Sequence, residues 1–185
     1  MSEQSVFPVP GCIFLIGPMG SGKTTVGRHL ARRLGMSFAD LDLELQQRCG
    51  VEVAVIFEIE GEAGFRQRES ALLDELSRQD GLVLATGGGS VLKEENRRLL
   101  AERGLVVYLQ VSIDQQLKRL ARDKQRPLLQ TADRRQRLRE LADRRNPIYE
   151  SCADLVVRSA NISPPAMAAN VAQRIRDHLE QTRVS

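Results

Sequence analysis

Between a continuous apolar run, Cys12 to Ile16, and a segment in which Val26, Leu30 and Leu34 recur every four residues stands Gly17-Pro18-Met19-Gly20-Ser21-Gly22-Lys23-Thr24. It fits G-x-x-x-x-G-K-[ST] in the strand-loop-helix setting that gives the motif its meaning. The glycines let main chain wrap close to a polyphosphate, successive N–H groups point inward as an anion nest, and the helix start adds positive potential. Lys23 can then reach the β- and γ-phosphates as a mobile point charge, and the Thr24 hydroxyl can ligate Mg²⁺. The motif alone leaves open ATP or GTP, hydrolysis or transfer. The chain has neither the D-x-x-G switch nor the N-K-x-D base-reading motif of a GTPase, and a short chain with its own surplus of arginines suits phosphoryl transfer to a small acceptor.

The rest of the chain alternates in the same way. Ser37-Phe38-Ala39, Leu82 to Ala85, Leu105 to Leu109 and Asp154 to Val157 read as further strands, and Gly35 as the stop of the first helix. Helical patterns run through Leu41 to Cys49, Val53 to Ile59, Glu62 to Arg78 and about Lys93 to Arg103; a charged helical stretch follows, and Pro164 to Gln181 closes the chain. Strands alternating with helices predict an α/β fold, a five-stranded parallel sheet flanked by helices on both faces, with ligands beyond the C-terminal strand ends. At 185 residues one domain is expected, 1–185, with residues 1–10 as a mobile extension. The run from Cys12 to Ile16 is too short to span a bilayer or to serve as a signal core, so a cytoplasmic protein without a membrane partner is expected.

Charge and cysteine usage exclude other classes. The 27 basic and 24 acidic residues leave +3, and with seven aromatics and no tryptophan a base-stacking nucleic-acid surface is disfavoured. Cys12, Cys49 and Cys152 lack C-x-x-C spacing or a nearby histidine, so they read as buried small hydrophobes rather than as a disulfide framework or zinc site. Positive charge is concentrated instead. From Lys118 to Arg145 there are eleven Lys or Arg residues against four acids, and Arg134, Arg135, Arg137 and Arg139 read as a solvated helix face with intrahelical ion pairs.

The third strand ends in Thr86-Gly87-Gly88-Gly89 rather than in an aspartate that could hold the metal shell, so the acid must come from elsewhere. Asp40 ends the second strand at the edge where the phosphate loop lies, and Asp42 follows. Asp40 could face the metal and its water, Asp42 an acceptor hydroxyl; both positions also suit caps of the helix beginning near Leu41. Gly87, Gly88 and Gly89 leave backbone N–H groups open to a small ligand beside the phosphate site.

Taken in order, Gly17 to Thr24, Asp40-Leu41-Asp42, Gly64-Phe65-Arg66, Gly87-Gly88-Gly89, Arg126-Pro127-Leu128-Leu129 and Arg145-Asn146-Pro147-Ile148-Tyr149 resemble the shikimate kinases, from about Ile13 to the final helix. The resemblance implies a P-loop kinase architecture with a mobile lid at about 119–135, similar to that of nucleoside monophosphate kinases. It implies ATP and Mg²⁺ as cofactors and shikimate, phosphorylated at its 3-hydroxyl, as substrate. By the same resemblance Gly20, Ser21, Gly22, Lys23, Thr24 and Thr25 hold the nucleotide phosphates, and Thr24 and Asp40 the metal. Arg66 and Arg145 grip the substrate carboxylate, for which the planar guanidinium fork is suited. Asp42 bonds the substrate hydroxyls, Gly88 with Gly87 and Gly89 offers backbone contacts, and Phe57 and Phe65 touch the ring, although a helical setting alone assigns them to the core. Arg126 is the lid arginine over the phosphates, started from an extended backbone by Pro127. Arg119 and the loop from Ser159 to Pro164 resemble segments that pack around adenine.

Direct in-line transfer is the expected mechanism, with Lys23, Arg126 and Mg²⁺ stabilising the moving phosphoryl group and Asp42 orienting the acceptor. His29 and His178 lie outside every motif, so no covalent phosphoenzyme is indicated. A gluconate or nucleoside monophosphate kinase, a nucleic-acid-binding module and a nucleotide-binding protein without turnover are the rival readings. A complete set of site residues in one chain favours a monomer.

Overall fold

A strand with every side chain buried needs neighbours at both edges and cover on both faces, and β1 (Cys12–Ile16) has both. The computed structural model describes residues 11–121, 132–159 and 161–184. Residues 1–10 and most of the expected lid, Arg126 included, lie outside the described residues. With β2 Ser37–Asp40, β3 Leu82–Ala85, β4 Gly104–Gln110 and β5 Leu155–Arg158, the chain forms a five-stranded sheet of order β2-β3-β1-β4-β5, parallel at every pairing. The helices are α1 Lys23–Leu34, α2 Leu41–Cys49, α3 Val53–Leu76, α4 Glu94–Arg103, α5 Ile113–Arg119, α6 Arg134–Cys152 and α7 Pro164–Val184. None of the described helices is long and apolar enough to cross a membrane.

Alternation along β1 divides the core. Cys12, Phe14 and Ile16 face a layer with Leu41, Leu45, Ile56, Phe65, Leu73, Leu100 and Tyr149, while Ile13 and Leu15 face Val26, Leu30, Met167, Val171 and Ile175. Helices therefore cover both faces, as the apolar strands require. Asp40 is level with Ala85, and Ala85 with Leu15, so β1, β2 and β3 release their chains at one edge. The chain leaves β1 for β2 on one side and later crosses to β4 on the other, which opens a crevice at that edge between β1 and β3.

Several boundaries differ from the sequence reading for identifiable reasons. Within α3 the chain kinks at Gly61, φ 70° and ψ −178°, between the two helices expected at 53–59 and 62–78, and the second ends at Leu76 rather than at 78. β5 starts after Asp154 because that carboxylate accepts from Val106 N at 2.8 Å and its own N–H donates to Val106 O, a side chain standing in for a strand partner. Of the cysteines only Cys12 is buried; Cys49 and Cys152 are half-buried. The arginines of α6 also reach further than a solvated face would. Arg137 pairs within the helix with Glu140, but Arg135 bridges to Asp114 of α5 at 2.7 Å and Arg134 donates to Leu120 O at 3.0 Å.

Gly27 sets how closely α1 sits on the sheet. A Cβ there would lie 2.6 Å from Cε2 of Phe38 and 3.0 Å from Cδ1 of Leu15. Gly27→Val is expected to lower stability by about 2 kcal/mol through overpacking, read as a lower urea midpoint with an unchanged slope. An unchanged midpoint would mean that α1 does not approach β1 and β2 this closely.

Candidate active site

The N-cap of α1 is Gly22, at φ 95°, which has no side chain to cap the first turn, and N–H groups at such a helix start suit an anion. Gly20, at φ 74°, is required twice over, because a Cβ there would also lie 3.2 Å from Cγ of Leu120. The back of the loop is held by α5, where Gln116 Nε2 donates to Met19 O at 2.8 Å and Arg119 Nη1 donates to Gly20 O at 2.8 Å. Lys23 Nζ lies over the loop, donating to Gly17 O at 2.8 Å and Pro18 O at 2.9 Å, where it contributes positive charge beside the nest. A cleft of about 430 Å³ runs along this surface, lined among others by Gly20, Gly22, Lys23, Thr24, Thr25 and Arg119. Ser21 is buried, its hydroxyl without a hydrogen-bond partner among the described residues, and its N–H donates to Pro18 O at 3.2 Å, closing the turn of the loop. Arg119 also donates to Ser159 Oγ at 3.0 Å, which joins the loop after β5 to the cleft wall.

Asp40 divides its contacts between its two oxygens. Oδ1 caps α2, accepting from Asp42 N at 3.1 Å and Leu43 N at 3.2 Å, and Oδ2 accepts from Thr24 Oγ1 at 2.5 Å. The cap fixes the carboxylate rotamer, and the fixed carboxylate orients the threonine hydroxyl beside the nest. Two hard oxygen groups next to a polyphosphate site suit Mg²⁺, which usually takes few protein ligands and completes its shell with phosphate and water. Among the described residues no three His, Cys, Asp or Glu side chains form a metal cluster.

Beside the cleft lies a second cavity of about 100 Å³, lined by Met19, Asp42, Val53, Phe57, Phe65, Arg66, Glu69, Gly87, Gly88, Gly89 and Arg145. Met19, Asp42, Val53 and Gly88 line both spaces, so the two adjoin. Arg66 from α3 and Arg145 from α6, far apart in sequence, thus border one chamber with Asp42. Phe57 and Phe65 have ring centroids 4.5 Å apart, Phe65 in the core with Phe57 packed against it, and both edge the cavity.

The structure adds Glu69, which the sequence reading passed over. It is fully buried; Oε2 accepts from Arg66 Nη1 at 2.7 Å and Oε1 from Ser90 Oγ at 2.7 Å. Arg66 is further placed by the face of Phe65, 5.1 Å from its ring centroid, while its buried Nε has no partner. The glycines serve this pair before they serve a ligand. A Cβ on Gly89 would collide with the Arg66 guanidinium, one on Gly87 with the Glu69 carboxylate, and only at Gly88 would the contacts be ordinary. The available signal was an acid on the apolar face of α3, four residues after Phe65 and three before Leu72. Gln116 was equally unmarked, a polar residue buried because it holds the phosphate loop.

Residues 19–180 match the shikimate kinase family. The shikimate kinase of Bordetella avium is 60% identical over 147 residues, covering 80% of this chain and 70% of that protein. That of Vibrio cholerae is 50% identical over 167 residues, covering 90% and 96%. Among solved structures, a shikimate kinase from Acinetobacter baumannii in complex with shikimate superposes with a TM-score of 0.90 at 45% identity, over 92% of this chain and 96% of that one.

Two outcomes follow from the buried groups. Glu69→Ala would leave the Arg66 guanidinium without its closest partner, and a loss of about 3 kcal/mol is expected, measured by urea unfolding; a loss confined to a few tenths would mean that the pair does not hold α3. Burial raises the Tyr149 hydroxyl from its ordinary 10.0 to about 12. Below pH 10 both folded and unfolded chains keep this proton; between about 10 and 12 only the unfolded chain releases it, so stability must fall with rising pH across that window. Melting temperatures across it check the sign, and Tyr149→Phe should make the fall shallower.

Proposed function

The chain belongs to the shikimate kinase family, and from that premise we propose that it transfers the γ-phosphoryl group of ATP to the 3-hydroxyl of shikimate, giving shikimate 3-phosphate and ADP. The observation that carries this reading is the shared chamber: Arg66 and Arg145, with Asp42 and the Glu69 that pairs with Arg66, border a cavity that adjoins the phosphate nest. The acceptor must bring a carboxylate for the arginines and hydroxyls for Asp42, and a ring small enough to lie against Phe57 and Phe65. Shikimate has all three. Gluconate also has a carboxylate and hydroxyls, but it offers no ring to the two phenylalanines, and a nucleoside monophosphate offers no carboxylate.

The roles divide by charge. Main-chain N–H groups from Gly20 to Thr25 hold the phosphates, and Lys23 exchanges its loop carbonyls for phosphate oxygens. Thr24 and Asp40 would hold Mg²⁺, which would supply positive charge against the negative charge of the phosphates. Arg66 and Arg145 anchor the acceptor carboxylate, the unpartnered Nε of Arg66 being one donor that such an anion would satisfy. Asp42 orients the hydroxyl for in-line attack and accepts its proton. Arg126 is assigned by the family resemblance to the transferring phosphoryl group, and Arg119 with the loop at Ser159 to the side where adenine lies. Each of these residues comes from one chain, which supports a monomeric catalytic unit.

The test is ADP release measured side by side with shikimate, gluconate and nucleoside monophosphates. Release stimulated by shikimate alone is expected; stimulation by another acceptor alone overturns the assignment. Lys23→Ala should lower kcat by about 10²–10³-fold as a charge on the transition state is lost. Arg66→Ala and Arg145→Ala should raise the KM for shikimate by about tenfold or more with the KM for ATP little changed. Normal shikimate saturation in both would reject the carboxylate clamp.

A further inference from the structure

The glycine turn at the boundary of the two cavities is held from behind by a tyrosine. Tyr149, on α6 one turn after Arg145, is fully buried and donates its hydroxyl hydrogen to Gly88 O in a short hydrogen bond. Its ring stacks on Tyr108 of β4, centroids 5.1 Å apart and planes at 29°, and Tyr108 in turn donates to Asn146 Oδ1 at 3.2 Å. Gly88 is thereby wedged. A Cβ placed on it would lie 3.6 Å from both Gly17 O and Met19 N and 3.7 Å from the Tyr149 hydroxyl, so its backbone lies between the phosphate loop and the tyrosine.

On the reading that this cavity takes the acceptor, we propose that the Tyr149 hydroxyl is a positioning group for the acceptor acid: it fixes the Gly88–Gly89 peptide at the cavity wall in register with Arg145. The reasoning is geometric. A trans peptide directs its C=O and its N–H to opposite sides, so holding Gly88 O against Tyr149 sets the direction of the Gly89 N–H. A triple glycine has little conformational preference of its own, and without an external tie its peptides would sample orientations unsuited to a ligand. Ring and hydroxyl divide the work: the ring, locked by Tyr108 and by burial, gives the rigid arm, and the hydroxyl gives the contact. Because Tyr149 and Arg145 share one face of α6, a turn apart, the same rigid element presents a cation to the acceptor and orients the backbone beside it. The hydroxyl stays protonated through the neutral range, so the bond persists as a donor bond.

The test is Tyr149→Phe, which keeps the ring and its stack, beside Tyr108→Phe, which removes the other hydroxyl of the pair. With wild type first shown to release ADP on shikimate, Tyr149→Phe is expected to raise the KM for shikimate about tenfold while the KM for ATP stays within about twofold. Tyr108→Phe should leave both unchanged. An unchanged shikimate KM in Tyr149→Phe, or an equal rise in Tyr108→Phe, overturns the proposal. If wild type does not turn shikimate over, it is the functional reading that fails instead. Should Tyr149→Phe not fold, hydrogen exchange in wild type decides: saturating shikimate should slow exchange of the Gly89 amide, and unchanged exchange overturns the role.

Discussion

An anion nest is a set of donors left without acceptors, and a folded chain sustains it only if the loop is held from the other side. Here the holding is done through carbonyls. Gln116 and Arg119 of α5 take Met19 O and Gly20 O, and Lys23 takes Gly17 O and Pro18 O, so oxygens of the loop are engaged while Gly22, the N-cap of α1, brings no side chain to the helix start. Much else in the fold follows from supporting this arrangement: β1 is fully buried at the sheet centre, and Gly27 lets α1 lie close against it.

A second economy runs through the acids. Asp40 uses one oxygen for the cap of α2 and the other for Thr24; Glu69 uses one for Ser90 and the other for Arg66. Each carboxylate joins a structural contact to one with a proposed site residue, so its geometry is set by folding before any ligand binds. Such preorganisation matters most where charge must be stabilised, because fixed groups need no reorientation as the reaction proceeds. It also explains the triple glycine. Two of its three missing side chains make room for the Arg66–Glu69 pair, and the third stands against the phosphate loop and Tyr149.

The architecture and the nucleotide half of the site could be read almost directly. Strand periodicity located β1, β3 and β4 to within a residue, and α2 was delimited as found, because these are local patterns of burial and capping. Asp40 was reached by asking which acid ends a strand beside the loop. The errors were local conflicts with long-range answers. Asp154 was read as strand, where its carboxylate replaces a strand bond to Val106. Likewise Arg134 and Arg135 were assigned to a helix face, whereas they tie α6 to Leu120 and Asp114.

The chain by itself determined what each segment could do: wrap a phosphate, cap a helix, bury one face, carry a forked cation. Those properties depend on neighbours within a few positions, and the order of motifs was enough to identify the family. Only the tertiary structure decided which distant groups share a chamber. Arg66 and Arg145 border one cavity, Gln116 reaches Met19, and Tyr149 holds Gly88, because the parallel register and the crossings of the sheet bring their elements to one edge. A buried polar side chain carries no local mark of its partner; its meaning appears when the fold supplies the atom it bonds.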